Sequence, residues 1–128
     1  MAGQLITGVD FVSVATQDLE AATAFYRDVL GLPRGNYRDG FFAEFDTGTV
    51  TLSVIDAVAF GFGFEQHRNP VAFQVADAEA ARNELISRGV EFNGDTLDTG
   101  VCHMAFFSDP DGNALMLHHR YAPRDSPD

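Results

Sequence analysis

The chain has 128 residues, 45% of them hydrophobic, which is enough for one ordinary domain with a sizeable core. Its formal net charge of −11, with eight arginines and no lysine, excludes the basic surface that nucleic-acid binding requires. No apolar run approaches the roughly 20 residues of a membrane span, and the first residues lack a basic region followed by an apolar stretch. We therefore predict a cytoplasmic protein with neither nucleic acid nor membrane as a partner. The acidity favours cationic ligands, although acidity also serves solubility alone.

The first half of the chain predicts a strand, a helix and three further strands. Alternating apolar residues predict a strand over Val9–Ala15. Apolar residues at helical spacing then predict a helix that begins after Asp18, its N-cap, and ends at Gly31. A short strand is predicted near Pro33–Tyr37, and two strands surround the turn at Asp46-Thr47-Gly48.

The same order returns in the second half. "PVAFQVA" predicts a strand from Pro70, and a helix follows between Asp77 as cap and Gly89 as stop. A short strand is predicted near Val90–Asn93, and "VCHMAFF" and "ALMLHH" predict two strands around the turn "SDPDGN". When Phe11 is aligned with Pro70, five of twelve positions are identical. We interpret this as a structural repeat.

Three further features complete the pattern. The segment between the halves, "AVAFGFGFEQHRN", carries Phe60, Phe62 and Phe64, which are expected to cover apolar surface because exposing them to water is unfavourable. Cys102 is the single cysteine, which excludes an internal disulfide. The last residues, "APRDSPD", predict a disordered tail.

Two segments, "VDFVSVATQDLEAATAFYRDVLGL" and "FFSDPDGNALML", resemble the vicinal oxygen chelate superfamily. That superfamily includes glyoxalase I, bleomycin-resistance proteins, fosfomycin-resistance enzymes and extradiol dioxygenases. The resemblance implies an α+β fold in which two βαβββ modules form a half-open barrel around a cavity. It places one domain over residues 1–122, with modules at about 8–57 and 69–120, and leaves residues 123–128 as the tail.

In metal-dependent members of the superfamily, histidine and glutamate side chains from the first and last strands of each module bind one divalent ion. The resemblance places those four positions on Phe11, Ser53, Pro70 and Met116. Phenylalanine, proline and methionine supply none of the oxygen or imidazole donors that such an ion needs, and one serine hydroxyl is too weak. We therefore predict no metal at this site and no cofactor.

Because side chains alternate along a strand, these four positions determine which other residues face the cavity. Cys102, Met104 and Phe106 are assigned to the helix side of their strand. His103 and His118 are expected to lie opposite one another on adjacent strands. The predicted ligand-binding residues are Phe11, Ser13, Phe42, Glu44, Ser53, Gln74, His103, Phe107, Met116 and His118.

Three functions remain open at this stage. The first is a metal-free protein that sequesters a hydrophobic or aromatic small molecule, either cationic or neutral, as bleomycin-resistance proteins do, and the resemblance implies a homodimer. The second is a lyase, isomerase or dioxygenase-like enzyme that uses His103, His118 and Glu44, either as acid–base groups or with a relocated metal. The third is a degenerate scaffold with a filled barrel that acts through protein contacts.

Overall fold

Two units, Met1–Phe64 and Glu65–Asp128, each contain one four-stranded mixed sheet and one helix. The computed structural model describes residues 4–124. The α+β fold and the repeat are both confirmed, since the two sheets have equivalent strand orders. Within residues 4–124, the hydrogen-bonded strand pairs lie inside each four-stranded sheet. We refer to the two units as the first and second modules.

The first module contains four strands and one helix in the predicted order, and a π-helical segment extends the helix. Its sheet has the order β1-β4-β3-β2, with β1 parallel to β4 and the other pairs antiparallel. The elements are β1 (Phe11–Thr16), α1 (Leu19–Ala24), the π-helical segment Phe25–Val29, β2 (Arg34–Arg38), β3 (Phe42–Asp46) and β4 (Thr51–Asp56).

Helix α1 begins where the sequence predicts. The Asp18 side chain accepts a hydrogen bond from the backbone N–H of Ala21 at 3.0 Å, which satisfies one of the free donors of the first turn. Within the π-helical segment, Tyr26 is fully buried, and its ring centroid lies 5.7 Å from that of Phe45. This aromatic contact fixes the helix against the sheet.

The second module repeats this arrangement, and its sheet has the order β5-β8-β7-β6. Asp77 caps its helix through a 3.0 Å bond from the backbone N–H of Ala80, as predicted. The elements are β5 (Val71–Gln74), α2 (Ala78–Ser87), β6 (Leu97–Asp98), β7 (Cys102–Ser108) and β8 (Ala114–Arg120).

The predicted short strand at Val90–Asn93 is wrong. Asn93 does donate its N–H to Phe106 O at 2.8 Å, but Gly94, at φ +78°, then turns the chain. Regular pairing with β7 is confined to Leu97 and Asp98.

The core of each module lies between its helix and the helix-facing side of its sheet, where α1 packs on β3 and β4, and α2 on β7 and β8. Burial alternates along the strands as a half-covered sheet requires. The buried helix-side residues are Val14, Ala43, Phe45, Leu52 and Val54 in the first module, and Ala105, Phe107, Leu115 and Leu117 in the second. We call the other side of each sheet its open face.

The segment between the modules meets its prediction only in part. Phe60 packs edge-on against Phe41, with ring centroids 5.9 Å apart, but Phe62 is mostly exposed. The expectation that all three phenylalanines cover apolar surface is therefore wrong for Phe62. Cys102 is buried and free. Residues 125–128 of the predicted tail lie outside the described residues. Within residues 4–124, the helices are too short or too polar to cross a bilayer.

Candidate functional site

A row of three polar residues crosses the open face of the first sheet. The strand register places Ser13 beside Ser53, and Ser53 beside Glu44, on β1, β4 and β3 respectively. Neighbouring strands lie about 4.8 Å apart, so the two hydroxyls and the carboxylate are within reach of one small ligand. We call Ser13, Ser53 and Glu44 the polar row.

The polar row has unused hydrogen-bonding capacity. Ser53 is only 6% exposed, Glu44 is half-buried, and Ser13 is exposed. Among residues 4–124, none of the three side chains has a hydrogen-bond or ion-pair partner. A half-buried carboxylate and a neighbouring hydroxyl that have no protein partner can still bind an external group that donates hydrogen bonds.

Aromatic rings lie on both sides of the polar row. Phe11 is two residues before Ser13 on β1, and Phe42 is two residues before Glu44 on β3. Because residues two apart on a strand share a face, both rings flank the row on the same open face. Phe11 is 56% exposed, which leaves its ring available for stacking.

The open face of the second sheet carries a different set. Gln74 lies beside His118, and His118 beside Met104, on β5, β8 and β7. The next row contains Ala72, Met116 and Phe106 in the same order of strands. The predicted residues Gln74, Met116 and His118 thus share one face.

The predicted pairing of His103 with His118 is wrong, because His103 lies opposite His119 and His118 lies opposite Met104. The loop Asp109–Asn113 is centred on Asp111 and pairs residues equally distant from that centre. Asp109 Oδ1 accepts hydrogen bonds from the backbone N–H groups of Asp111 and Asn113, both at 2.9 Å, which holds this register. His103 and His118 consequently point to opposite sides of the sheet.

The same register corrects the assignment of faces along β7. Phe107 is 1% exposed, and its ring centroid lies 5.1 Å from that of Phe92, over which the Arg82 guanidinium of α2 is placed. Phe107 therefore belongs to the helix-side core and not to the open face. Cys102, Met104 and Phe106 were assigned to the helix side from sequence, but they alternate with the helix-side Ala105 and Phe107 and lie on the open face instead.

His103 lies in a different cluster from the predicted one. Its Nε2 is 3.4 Å from Asp98 Oδ2, and its ring centroid lies 4.8 Å from that of Tyr121. The Tyr121 hydroxyl donates to Asp98 Oδ1 at 2.8 Å, and the backbone N–H of Gly100 donates to the same oxygen at 2.9 Å. These bonds fix one carboxylate oxygen of Asp98 and turn the other toward the imidazole.

Two pKa values shift within this cluster. The backbone N–H of Gly100, followed by the Tyr121 hydroxyl, holds the pKa of Asp98 below its ordinary value, because both donors stabilise the carboxylate. The same hydrogen bond raises the pKa of Tyr121, because its phenol must keep the proton that it donates.

A divalent ion does not fit the four positions that hold metal ligands in the resembling superfamily. Ser53 on β4 offers one nearly buried hydroxyl, and Met116 occupies the matching position on β8. Phe11 and Pro70 supply no donor side chain at all. Within residues 4–124, no three His, Cys, Asp or Glu side chains are arranged to hold a metal ion as they stand.

Sequence reasoning missed Asp98, His119 and Tyr121. One signal was available, because the triplet Asp-Thr-Gly occurs both at residues 46–48, where a turn is predicted, and at residues 98–100. In both turns the Gly N–H donates to the Asp side chain, at 2.7 Å for Gly48 and 2.9 Å for Gly100. Recognising the second turn would have placed β6 at Leu97–Asp98.

The chain matches the model of one protein family over residues 8–117: the Glyoxalase/Bleomycin resistance protein/Dioxygenase superfamily. No curated protein matches it. It is similar to the solved structure of lactoylglutathione lyase from Agrobacterium tumefaciens, with 18% identity and a TM-score of 0.78 over 89% of this chain and 94% of that one. It is also similar to TnmS3, an antibiotic binding protein from Streptomyces sp. CB03234, with 25% identity and a TM-score of 0.78 over 91% and 98% of the two chains. A glyoxalase/bleomycin resistance protein/dioxygenase from Nocardioides is 24% identical, with a TM-score of 0.78 over 99% and 91%.

Proposed function

Since the chain belongs to the glyoxalase/bleomycin resistance protein/dioxygenase superfamily, we propose that it binds a hydrophobic or aromatic, cationic small molecule without a metal and acts by sequestration. The observation that carries the proposal is the unpartnered polar row between Phe11 and Phe42 on the open face of the first sheet. The similarity to an antibiotic binding protein agrees with it.

Each part of the polar row has a role in this proposal. Glu44 forms a charge-assisted hydrogen bond with an amino or amidino group of the ligand. Ser13 and Ser53 complete the polar contacts, and Phe11 and Phe42 stack on a planar ring. The net charge of −11 raises the local concentration of cations around the protein.

Calorimetric titration with two matched probes tests the charge preference. Proflavine is a planar cation at neutral pH, and acridone is a neutral tricycle of similar shape. We expect saturable binding of proflavine, with acridone at least about tenfold weaker, because a hydrogen bond to a charged group contributes about 1.5–3 kcal/mol. The absence of saturable heat with both probes would contradict the proposal.

Variants then locate the site. Glu44→Gln is expected to weaken proflavine binding at least about tenfold and to leave acridone binding nearly unchanged. Glu91→Gln is the matched control, because it removes the same charge from an exposed position in the second module. Equal effects of the two variants would indicate a general electrostatic contribution and no site at Glu44.

We extend the proposal to a homodimer. Leu5 is 94% exposed, and Ile6 and Val9 are also largely exposed, in a segment without regular secondary structure before β1. Apolar side chains grouped in this way favour burial against a partner. Sedimentation of the wild type is expected to give a dimer, and Ile6→Asp is expected to shift it toward the monomer. A wild-type monomer across the concentration range would refute this extension.

A further inference from the structure

The loop between α2 and β6 contains the dipeptide Asn93-Gly94, whose side-chain amide and backbone nitrogen can react with each other. The backbone nitrogen that follows an asparagine can attack the amide carbon of its side chain and close a succinimide ring, which is a covalent modification of the chain. Glycine allows the closest approach, because it has no Cβ beside the attacking nitrogen. Of the five asparagines in the chain, Asn93 is the one that a glycine follows.

The folded structure leaves both reacting groups of this dipeptide free. Asn93 is exposed. Gly94 has a φ of +78°, and apart from its chain neighbours no heavy atom lies within 4 Å of the place where a Cβ would stand. Among residues 4–124, neither the Gly94 N–H nor the Asn93 side-chain amide has a hydrogen-bond partner. No hydrogen bond therefore has to break before the nitrogen approaches the amide carbon.

Two of the other asparagines are unable to react because of the residue or the helix that follows them. Asn69 precedes Pro70, whose nitrogen carries no hydrogen and cannot close the ring. Asn83 lies inside α2, so the next backbone N–H is bonded within the helix. In both cases the attacking nitrogen is not free.

The remaining two asparagines are obstructed in other ways. Asn113 is fully buried with its side chain hydrogen-bonded, and the next N–H, that of Ala114, donates to His67 O at 2.7 Å. Asn36 is exposed on β2, but Tyr37 follows it, and a side chain on the attacking residue hinders its nitrogen. Exposure, a free N–H and a following glycine thus come together at Asn93.

We propose that Asn93 is a site of spontaneous deamidation in the folded protein. The Gly94 nitrogen gives its proton to solvent and attacks Cγ of Asn93; the N–Cγ bond forms, the Cγ–Nδ2 bond breaks, and Nδ2 takes up a proton and leaves as ammonia. Water then opens the succinimide. Hydrolysis of the new N–Cγ bond gives aspartate, whereas hydrolysis of the original peptide bond gives isoaspartate. The modification is independent of the proposed ligand at the polar row.

The isoaspartyl product changes the contacts that hold this loop. The Asn93 N–H donates to Phe106 O at 2.8 Å, and Arg82 Nη2 donates to Gly94 O at 3.2 Å. Isoaspartate routes the main chain through Cβ and Cγ, so it inserts an atom between these two hydrogen bonds. The Arg82 guanidinium is also placed by the Phe92 ring, 5.4 Å from its centroid, and cannot follow the displaced carbonyl freely. We expect the isoaspartyl form to unfold at a lower urea concentration than the unmodified protein.

Incubation of the wild type in heavy-oxygen water, followed by digestion in ordinary water and mass spectrometry, tests the proposal. Opening of the succinimide takes an oxygen atom from the solvent, so the heavy isotope marks modification that took place before digestion. We expect Asn93 to lose its amide at least about tenfold faster than each of the other four asparagines, and its product to carry the heavy oxygen. The rate should rise in alkaline buffer, because the attacking nitrogen must lose its proton.

Two controls separate the effect of the fold from that of the dipeptide. Asn93→Gln should keep its amide, since its longer side chain would have to close a larger ring. The wild type incubated in urea shows the reactivity of the same dipeptide in the unfolded chain. The proposal is overturned if Asn93 keeps its amide in the folded protein but loses it in urea, if Asn36 reacts as fast as Asn93, or if the product lacks the heavy oxygen. Because proflavine binding is measured separately, failure here leaves the proposed ligand site unaffected.

Discussion

The two modules share their strand order and their capping aspartates, yet the open faces of their sheets carry opposite chemistry. The polar row of the first module corresponds, position for position, to Ala72, Met116 and Phe106 in the second. In the next row the first module is apolar and the second carries the polar side chains. There Ala15, Ile55 and Phe42 correspond to Gln74, His118 and Met104.

Under the helices, by contrast, the two sheets carry the same kind of side chain. Both modules fill this side with buried aliphatic and aromatic residues, such as Phe45 in the first and Phe107 in the second. Packing under a helix tolerates only apolar side chains of suitable volume, whereas an uncovered sheet face has no such constraint. The part of each sheet that a helix covers therefore specifies the fold, whereas the uncovered parts of the sheets are free to carry function.

The largest expected effect on stability comes from alanine substitution of Phe107, which we compare with the same substitution of its neighbour Phe106 on the opposite face of β7. Phe107→Ala should lower the free energy of unfolding by about 3–5 kcal/mol, because it empties a fully buried position. Phe106→Ala should cost about 2 kcal/mol or less, since its ring is only half-buried. Urea denaturation measures both values. If Phe106→Ala proved the more damaging, the assignment of faces would be reversed.

The sequence predicts best those features of the fold and of the candidate site that depend on residues close together in the chain. The caps at Asp18 and Asp77 and the order of strands and helices along the chain follow from neighbouring residues, and both were predicted. The assignment of Ser13, Glu44 and Ser53 to the same face came from the positions that the superfamily resemblance implies, and the register of β1, β3 and β4 agrees with it.

The two faces of β7 were predicted the wrong way round, because a small error in the position of the turn changes the register of the whole strand. Moving the centre of the hairpin by half a residue changes the partner of His118 from Met104 to His103 and inverts every side chain of the strand. The strand β6 was missed for a different reason. Its two residues are too few to produce an alternating pattern, and its position depends on the Gly94 turn and on pairing with β7.

The connections between the last two strands of each module differ in burial and should differ in sensitivity. Asn113 is fully buried; its Nδ2 donates to Asp109 Oδ2 at 2.8 Å, and its Oδ1 accepts from His67 N–H at 2.7 Å. Asn113→Ala should cost about 2–3 kcal/mol, since it leaves buried groups unsatisfied. Asp46→Ala, in the exposed turn of the first module, should cost about 1 kcal/mol or less. Similar losses from both substitutions in urea denaturation would mean that burial does not distinguish the two connections.

The helix caps are where the modules should respond alike. Asp18→Ala and Asp77→Ala each remove a 3.0 Å hydrogen bond to an N–H of the first helical turn. We expect each to lower the free energy of unfolding by about 1 kcal/mol. Thermal unfolding followed by circular dichroism checks this, with Asp→Asn at the same positions as the conservative control. A loss at one cap several times larger than at the other would show that the modules differ beyond their open faces.

The smallest expected effect is on stability at acidic pH. In the Asp-Thr-Gly turn of the second module, Asp98 accepts a hydrogen bond from the Tyr121 hydroxyl. The pKa of Asp98 lies below its ordinary value of 3.8, first because of the Gly100 N–H and then because of the Tyr121 hydroxyl. A carboxylate with a depressed pKa stabilises the folded state above its unfolded pKa, and that contribution is lost as the pH falls from 3.8 through the folded value. Asp98→Asn should therefore lose less stability than the wild type between about pH 5 and about pH 2, and Tyr121→Phe should behave as an intermediate. Parallel acid-unfolding curves for the three proteins would mean that these hydrogen bonds do not couple Asp98 to folding.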